Sequence, residues 1–369
     1  MIETVSIVSL PERLRERIKR EGPITFRDWM SAALYDPEGG YYCRSDLQRW
    51  GRKGDYRTSP ERSSLFAATF ARYFARLYDQ LGKPEAFRIV ESGAGGGHFA
   101  AGVLANLRWN FPDVFATTTY VVDEMSTPSR DLVRERLQPF ASQVEFLDGQ
   151  TFDQGVVFAN ELLDAFPVHR VVLRDGEYRE LFVTANSQGQ FQWLEQQLSP
   201  DLSEHLAGYL SLSGLTPSPG VVIEVNLEIE KWLRKMASVL NRSFLVLVDY
   251  GAAAAQLFSD RANPDGTLRG FREHEFVADL FASPGEHDLT ATVNWTVVQS
   301  SAVRLGFELV EFARQDQFLL ANDFLDQLDS ETSLAATESE RLKLRNEARE
   351  MILPDGMASG FQVMVLKKS

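Results

Sequence analysis

The run Phe87-Arg88-Ile89-Val90-Glu91-Ser92-Gly93-Ala94-Gly95-Gly96-Gly97-His98-Phe99 constrains the fold of this chain more than any other stretch. A short apolar strand stops at an acid and opens into a glycine turn, and a helical segment over 100–107 follows. Glycines at alternate positions allow positive φ and leave bare main chain for a ligand to touch. Strand, glycine loop and helix N-terminus together make a nucleotide-type site. Glu91 selects among nucleotides. An acid beside the loop repels a pyrophosphate and suits a cation, such as the amino group and sulfonium of S-adenosylmethionine (SAM). Gly93, Gly95 and Gly97 with Glu91 are therefore read as a methyltransferase loop rather than a dinucleotide loop.

From residue 87 the hydrophobic period alternates between strand and helix. Strands are expected at 87–91, 118–123, 143–147, 155–159 and 244–249, each short, apolar and closed by a polar or small residue. Such runs between helices indicate an α/β fold with a parallel, doubly wound sheet, whose ligands collect at the carboxyl ends of the strands. Residues 11–82 read as helical, with Thr58, Ser59 and Pro60 as a helix start and an aromatic stripe (Phe66, Phe70, Tyr73, Phe74) fit for a core. A hairpin around Asp175-Gly176 is expected to pair 171–173 with 180–184, with a further arm at 190–193. Residues 228–240 and 338–351 read as helices, and 361–366 as a final strand at the edge of the main sheet. The expected organisation is a helical region over 1–82 and a Rossmann-like domain over 83–369, with insertions at about 168–220 and 251–295. Long insertions after strand ends are typically lids or substrate-binding elements.

Candidate site residues follow from these strand ends. Glu124, just past the second strand, would bind two ribose hydroxyls; Asp123 competes for that role, and the strand register decides. Met125 adjoins it. Asp148 could accept a hydrogen bond from an adenine amine, although Asp before Gly is equally a plain turn. Asn160 and Glu161, after the fourth strand, face the transferred group, with Asp164 close behind; a carboxylate there can orient an amine or guanidine nucleophile and take its proton. A helix cap and a surface salt bridge are the plainer roles for Asn160 and Glu161. Gly54-Asp55-Tyr56-Arg57-Thr58-Ser59-Pro60 presents amides and hydroxyls that could close over a cofactor carboxylate, or simply cap a helix. Asp249-Tyr250-Gly251 ends the fifth strand on the substrate side.

Composition narrows the class. With 369 residues and 44% hydrophobic content the chain can bury a large core. A net charge of −14 argues against nonspecific binding to nucleic acid or anionic membrane. The single cysteine, Cys43, rules out an internal disulfide and fits a reducing compartment. No Cys/His cluster has metal-ligand spacing, and no apolar run is long enough to span a bilayer. The N-terminus lacks the basic start of a signal peptide, so a cytoplasmic location is expected. No nucleophile elbow, phosphate-binding lysine loop or zinc motif is present.

Taken in order, several motifs resemble the MidA-like methyltransferases, whose mitochondrial members act in respiratory complex I assembly as protein arginine methyltransferases. They are Gly22-Pro23-Ile24-Thr25-Phe26, Gly39-Gly40-Tyr41-Tyr42, Gly54-Asp55-Tyr56-Arg57-Thr58-Ser59-Pro60-Glu61, the glycine loop and Glu124-Met125-Ser126. Asn160-Glu161-Leu162-Leu163-Asp164-Ala165-Phe166-Pro167-Val168, Val248-Asp249-Tyr250-Gly251, Thr267-Leu268-Arg269-Gly270-Phe271 and Pro284-Gly285-Glu286-His287-Asp288-Leu289-Thr290 continue the series. The resemblance implies a class I SAM-dependent methyltransferase fold with a helical N-terminal extension and inserted substrate-binding elements. It also implies SAM as cofactor and a partner protein's arginine as acceptor, and it places Asp55, Thr58, Ser59 and Pro60 in the site. The expected partner is a protein substrate, with no nucleic acid, membrane insertion or metal, and a homodimer as an admissible assembly. The family's loop usually reads Glu-Leu-Gly-Pro-Gly-x-Gly, commonly with Arg at x; here Ser92, Ala94 and Gly96 stand at those places. Loss of the proline frees the loop and loss of the arginine removes a fixed charge, so either affinity falls or the loop is held differently. A small-molecule methyltransferase and a scaffold protein with a degenerate cofactor site are the competing readings. A nicotinamide dehydrogenase ranks below both, because Glu91 is misplaced for a pyrophosphate.

Overall fold

The computed structural model describes residues 8–47, 63–259, 264–273, 275–353 and 360–369. The chain divides into two compact units. One comprises Met1–Tyr56, Asp164–Ile229 and Ala252–Ser300; the other comprises Arg57–Leu163, Glu230–Gly251 and Ser301–Ser369.

The second of these units carries the main sheet. Its strands are β1 (Phe87–Ser92), β2 (Thr118–Asp123), β3 (Val144–Phe146), β4 (Phe152–Asn160), β5 (Leu240–Ala252), β6 (Glu308–Arg314) and β7 (Phe361–Lys368), in the order β6-β7-β5-β4-β1-β2-β3. The pairs β3–β2, β2–β1, β1–β4 and β4–β5 are parallel. β7 runs antiparallel to both β5 and β6. Strand order reverses direction along the sheet at β1, which opens a crevice at the carboxyl ends of β1 and β4. Residues one apart on these strands are buried on opposite faces. Phe87, Ile89, Tyr120, Val122, Val156, Phe158, Phe244 and Val246 belong to one apolar cluster, while the intervening Val90, Val121, Val157 and Leu245 are buried as well. Burial on both faces explains why these strands read as continuous apolar runs.

The helix Ser64–Gln80 covers the first face. Its aromatic stripe is core: the Phe70 ring meets those of Phe99, Phe158 and Phe318 at 5.1–5.9 Å. The helix begins at Ser64, with Ser63 Oγ accepting from Leu65 N–H; the start expected at Thr58-Ser59-Pro60 lies outside the described residues. It packs with the sheet of this unit. A second difference concerns the sheet edge. The sequence predicts 361–366 as an edge strand, yet β7 lies between β5 and β6, and the edge is β6. β6 carries Glu308 and Glu311, and most of its length is exposed or half-buried, so it lacks the apolar signature of its neighbours.

The other unit holds an antiparallel sheet built from Ile24–Thr25, His169–Arg174, Glu177–Ala185, Phe191–Gln196 and Val222–Val225. A hairpin turns at Asp175-Gly176 as expected, but 171–173 pair with 178–180 (Val171 opposite Glu180, Leu173 opposite Tyr178) rather than with 180–184, which pair with the arm Phe191–Gln196. The helices Leu10–Glu21 and Phe26–Tyr35 bury Leu14, Ile18, Phe26 and Trp29 in this unit's core. A buried ion pair, Arg170 Nε to Glu224 Oε1 at 3.1 Å, anchors the Thr267 motif, whose N–H and hydroxyl both donate to Glu224 Oε2 at 2.9 Å. Among the described residues no helix is long and apolar enough to cross a membrane. Nor, among them, does any group of three or more His, Cys, Asp or Glu stand placed to hold a metal ion.

Candidate active site

The glycine turn leaves β1 after Ser92. Gly93, Gly95 and Gly97 have φ of 73°, 53° and 73°, the left-handed region that disfavours side chains. Space is short as well. A Cβ on Gly93 would lie 2.9 Å from Leu162 Cδ1, and one on Gly97 would lie 3.3 Å from Val133 Cγ2. The turn is bonded from several directions. Gly93 N–H donates to the Asp123 carbonyl at 2.9 Å, Gly97 N–H to the Ala94 carbonyl at 2.9 Å, and Gly95 N–H to Glu124 Oε2 at 3.0 Å. Gly97 then caps the helix His98–Asn110, whose first amides lack partners within the helix.

The strand period places the two neighbours at the end of β1 on opposite faces. Glu91 shares a face with Phe87 and Ile89, and so points into apolar surroundings, where Tyr120 Oη donates to its Oε2 at 2.8 Å. Burial pushes the Glu91 carboxyl up to about 8; the Tyr120 hydrogen bond opposes this and the charge of Glu124 adds to it. The sequence suggests a bare anion at this point. In the structure it is a carboxyl that holds its proton near neutral pH until a cation lies against it. Ser92 faces the other way. Its hydroxyl donates to Asp123 Oδ2 at 2.8 Å and accepts from Trp232 Nε1 at 3.3 Å. Lys235 Nζ also reaches Asp123, at 2.7 and 2.9 Å from its two carboxylate oxygens. Asp123 is thus committed to Ser92 and Lys235, whereas Glu124 lies against the glycine turn, with Oε1 accepting from Ser126 N–H at 2.8 Å. Each carboxylate oxygen can accept a second hydrogen bond, so Glu124 can hold the turn and bind hydroxyls together. Met125 beside it is 68% exposed, an apolar surface facing solvent at the strand end. Asp148 lies past β3, where its N–H donates to Gln150 Oε1 at 2.5 Å.

At the end of β4 the chain turns through Glu161, a non-glycine residue at φ 52°. Asn160 Nδ2 donates to Glu161 Oε1 at 3.1 Å, while Asn160 Oδ1 is buried with no hydrogen-bond partner among the described residues. Asp249, at the end of β5, is 1% exposed and turned inward. Its Oδ2 accepts from the amides of Leu162 and Leu163 at 3.2 and 2.8 Å, and its Oδ1 from Tyr250 N–H at 2.8 Å. Its role is therefore to hold the Asn160–Glu161 turn rather than to line a substrate surface. Sequence reading places it at the right strand end but cannot show which way it points.

Glu91, the three glycines, Glu124, Asn160 and Glu161 meet at the ends of the adjacent strands β4, β1 and β2, with Met125 and Asp148 toward β3. Asp164 falls in the other unit, where its carbonyl accepts from Ala291 N–H at 2.8 Å. Asp55, Thr58, Ser59 and Pro60 lie outside the described residues. One contact of the glycine turn has no signal in the sequence: Arg136, the last residue of the helix Thr127–Arg136, donates from Nε to the Gly96 carbonyl at 2.6 Å.

These features suit a nucleoside cofactor with a cationic tail. Close packing around the glycines leaves only main chain to face a ligand, Glu124 offers acceptors for hydroxyls, and Asn160 Oδ1 awaits a donor. A parallel sheet with one inserted antiparallel strand and this crevice define a class I methyltransferase. The chain belongs to the S-adenosyl-L-methionine-dependent methyltransferase family Methyltransf_28, whose model matches residues 69–313. Its cofactor is SAM.

Among curated relatives, a protein from Drosophila melanogaster named protein arginine methyltransferase NDUFAF7 homolog, mitochondrial, is 29% identical over 324 residues, covering 81% of this chain and 71% of its own length. The Homo sapiens protein arginine methyltransferase NDUFAF7, mitochondrial, is 26% identical, with 80% and 69% covered. The crystal structure of a Burkholderia thailandensis superfamily member bound to S-adenosyl-homocysteine (SAH) superimposes with a TM-score of 0.83 at 28% identity, covering 97% of this chain and 92% of that one. The cytoplasmic location expected from the sequence is corrected by these relatives, which are named as mitochondrial proteins. A lone cysteine marks a reducing compartment and does not say which one.

Proposed function

We propose that this methyltransferase acts on an arginine side chain of a partner protein, with Asn160 and Glu161 receiving the acceptor. The observation that carries the reading is the buried Asn160 Oδ1, without a hydrogen-bond partner among the described residues, beside the Glu161 carboxylate. A buried acceptor without a donor is costly, and an N–H donor from a ligand removes that cost. A guanidinium supplies several N–H donors and a charge that a carboxylate pairs with. The relatives named as protein arginine methyltransferases support the same acceptor.

In this reading Glu91 and the glycine turn hold the amino-acid end of the cofactor, Glu124 the ribose, and Met125 with Asp148 the adenine. Bound SAM supplies an electrophilic methyl group. Asn160 Oδ1 accepts an acceptor N–H and orients that nitrogen. Glu161 pairs with the guanidinium and takes the proton released on transfer. Asp249 fixes the turn on which both stand, so that most of the rate comes from alignment. On the family resemblance, Asp164 and the segment containing Asp55, Thr58, Ser59 and Pro60 are assigned to the same chemistry. That resemblance also directs the search for the partner to respiratory complex I. A homodimer belongs to the same proposal and is checked by light scattering.

The test combines purified protein, radiolabelled SAM and arginine-bearing peptides, with mass spectrometry locating the methyl group. Methylarginine is expected. Glu161→Gln should lower its formation about a hundredfold while calorimetric affinity for SAH stays within about twofold. Methylation of some other group, or an unimpaired Glu161→Gln enzyme, rejects the assignment.

A further inference from the structure

Within itself the glycine turn is closed by the Gly97 N–H to Ala94 carbonyl bond, and its other peptides depend on partners outside it. Gly93-Ala94-Gly95-Gly96-Gly97 contains no proline, three of its residues sit at positive φ, and glycine loses more backbone freedom on ordering than any other residue. A cofactor obliged to order such a turn binds more weakly for it. Two side chains outside the turn take up the task. Glu124 accepts from Gly95 N–H at 3.0 Å, and Arg136 Nε donates to the Gly96 carbonyl at 2.6 Å. Both flank one helix, Glu124 two residues before its cap Ser126 and Arg136 at its last residue. Glu124 also accepts from the amide of Ser126, which caps the helix Thr127–Arg136, and Arg136 is that helix's last residue. The helix is thus a strut that fixes one donor and one acceptor of neighbouring peptides in the turn.

The Gly96 peptide is enclosed from the other side by His98. Ring atoms of His98 lie 3.2 Å from where a Gly96 Cβ would stand. Burial, helped by the Arg136 charge, pushes the His98 imidazole down to about 4, so it is neutral at pH 7. An arginine in the last turn of an exposed helix ordinarily does no more than complement the helix dipole. That role does not call for a short hydrogen bond to a carbonyl 40 residues earlier.

We infer that Arg136 is a positioning residue for the cofactor: by gripping the Gly96 carbonyl it shapes the glycine turn before the cofactor arrives. The inference rests on the cofactor-site assignment above. Calorimetric titration with SAH, on wild type, Arg136→Met and Arg136→Lys, tests it beside amide hydrogen exchange of the ligand-free proteins. Arg136→Met should bind SAH about tenfold more weakly, the loss of one charge-assisted hydrogen bond. Its Gly95 and Gly97 amides should exchange faster than wild type, and saturating SAH should restore their protection. The thermal midpoint should hold, because Arg136 is exposed. Arg136→Lys should recover part of the affinity, since an ammonium can donate to the same carbonyl. An unchanged SAH affinity in Arg136→Met overturns the inference. So does weakened binding with unchanged exchange in the turn, which would make Arg136 a direct ligand contact. Failure of the wild type to bind SAH would instead reject the cofactor-site assignment itself.

Discussion

The turns that leave β1 and β4 meet the same geometric demand by opposite means. Both reverse sharply through positive φ at neighbouring strand ends. The β1 turn uses glycine, which takes that conformation without strain, and it is held by backbone hydrogen bonds together with Glu124 and Arg136. The β4 turn uses Glu161, a residue for which the left-handed region costs roughly 1–2 kcal/mol, and Asp249 secures it through the amides of Leu162 and Leu163. The contrast separates two kinds of site. Where the ligand has to touch backbone, the chain gives up side chains and borrows order from a nearby helix. Where a carboxylate has to stand at the corner, the chain accepts strain and locks it with a buried acid.

The contrast breaks most visibly at Glu124, which should be irreplaceable on the glycine side. Glu124→Ala removes the clamp on Gly95 and, in the proposed cofactor site, the acceptors for the ribose. SAH affinity should fall roughly thirty- to hundredfold, the size of one or two charge-assisted hydrogen bonds. A calorimetric isotherm matching wild type would show that the turn holds itself. On the other side, Asp249→Asn leaves three amides competing for one acceptor oxygen. Chemical unfolding should show a loss of about 2 kcal/mol, with SAH affinity little changed; a stable variant with weak SAH binding would put Asp249 in the wrong turn.

Glu91 gives a pH-dependent effect of smaller size. In the fold its carboxyl ionises near 8, against an ordinary value of 4.5. Between those values the folded protein keeps a proton that the unfolded chain has lost. Stability should therefore decline as pH rises from about 4.5 to about 8 and level off above. Thermal midpoints across that range should show this contribution to the slope, and Glu91→Gln should abolish it; an identical slope in the variant would show that Glu91 is not the titrating group. The smallest effect compares two replacements of Glu161. Glu161→Gly relieves the left-handed strain that Glu161→Ala retains, so the glycine variant should be the more stable by about 1 kcal/mol, although both lose transfer activity. Equal stabilities would mean that the corner is unstrained.

Much of this is legible in the sequence, for physical reasons that also mark where reading stops. Four of the first five strands (β1, β2, β4 and β5) are buried on both faces, so each reads as an apolar run closed by a polar residue. Glu91, Glu124, Asn160 and Glu161 fall at the ends of three of them. β6 gives no such signal, because an edge strand that carries Glu308 and Glu311 and leaves Leu309 and Val310 exposed follows neither an apolar run nor a strict alternation. Without β6 in view, its neighbour β7 reads as the edge. Which way Asp123 and Glu124 point depends on register, and only the positions of Ser92, Lys235 and Gly95 show that Asp123 pairs with Ser92 and Lys235 while Glu124 lies against the glycine turn. Arg136 gives no warning, because an arginine closing a helix is commonplace until its partner is seen.

The place of β7 bears on how the protein is made. During synthesis β1 to β5 leave the ribosome long before β7, which pairs with β5 over eight residues from Ser243 to Tyr250. For that interval the nascent sheet exposes an unpaired apolar strand, open to the wrong partner. A slow or stalled passage through the helices between β6 and β7 would lengthen the exposure. Chaperone demand in this protein should accordingly track the time taken to deliver its last strand, more than the stability of the finished site.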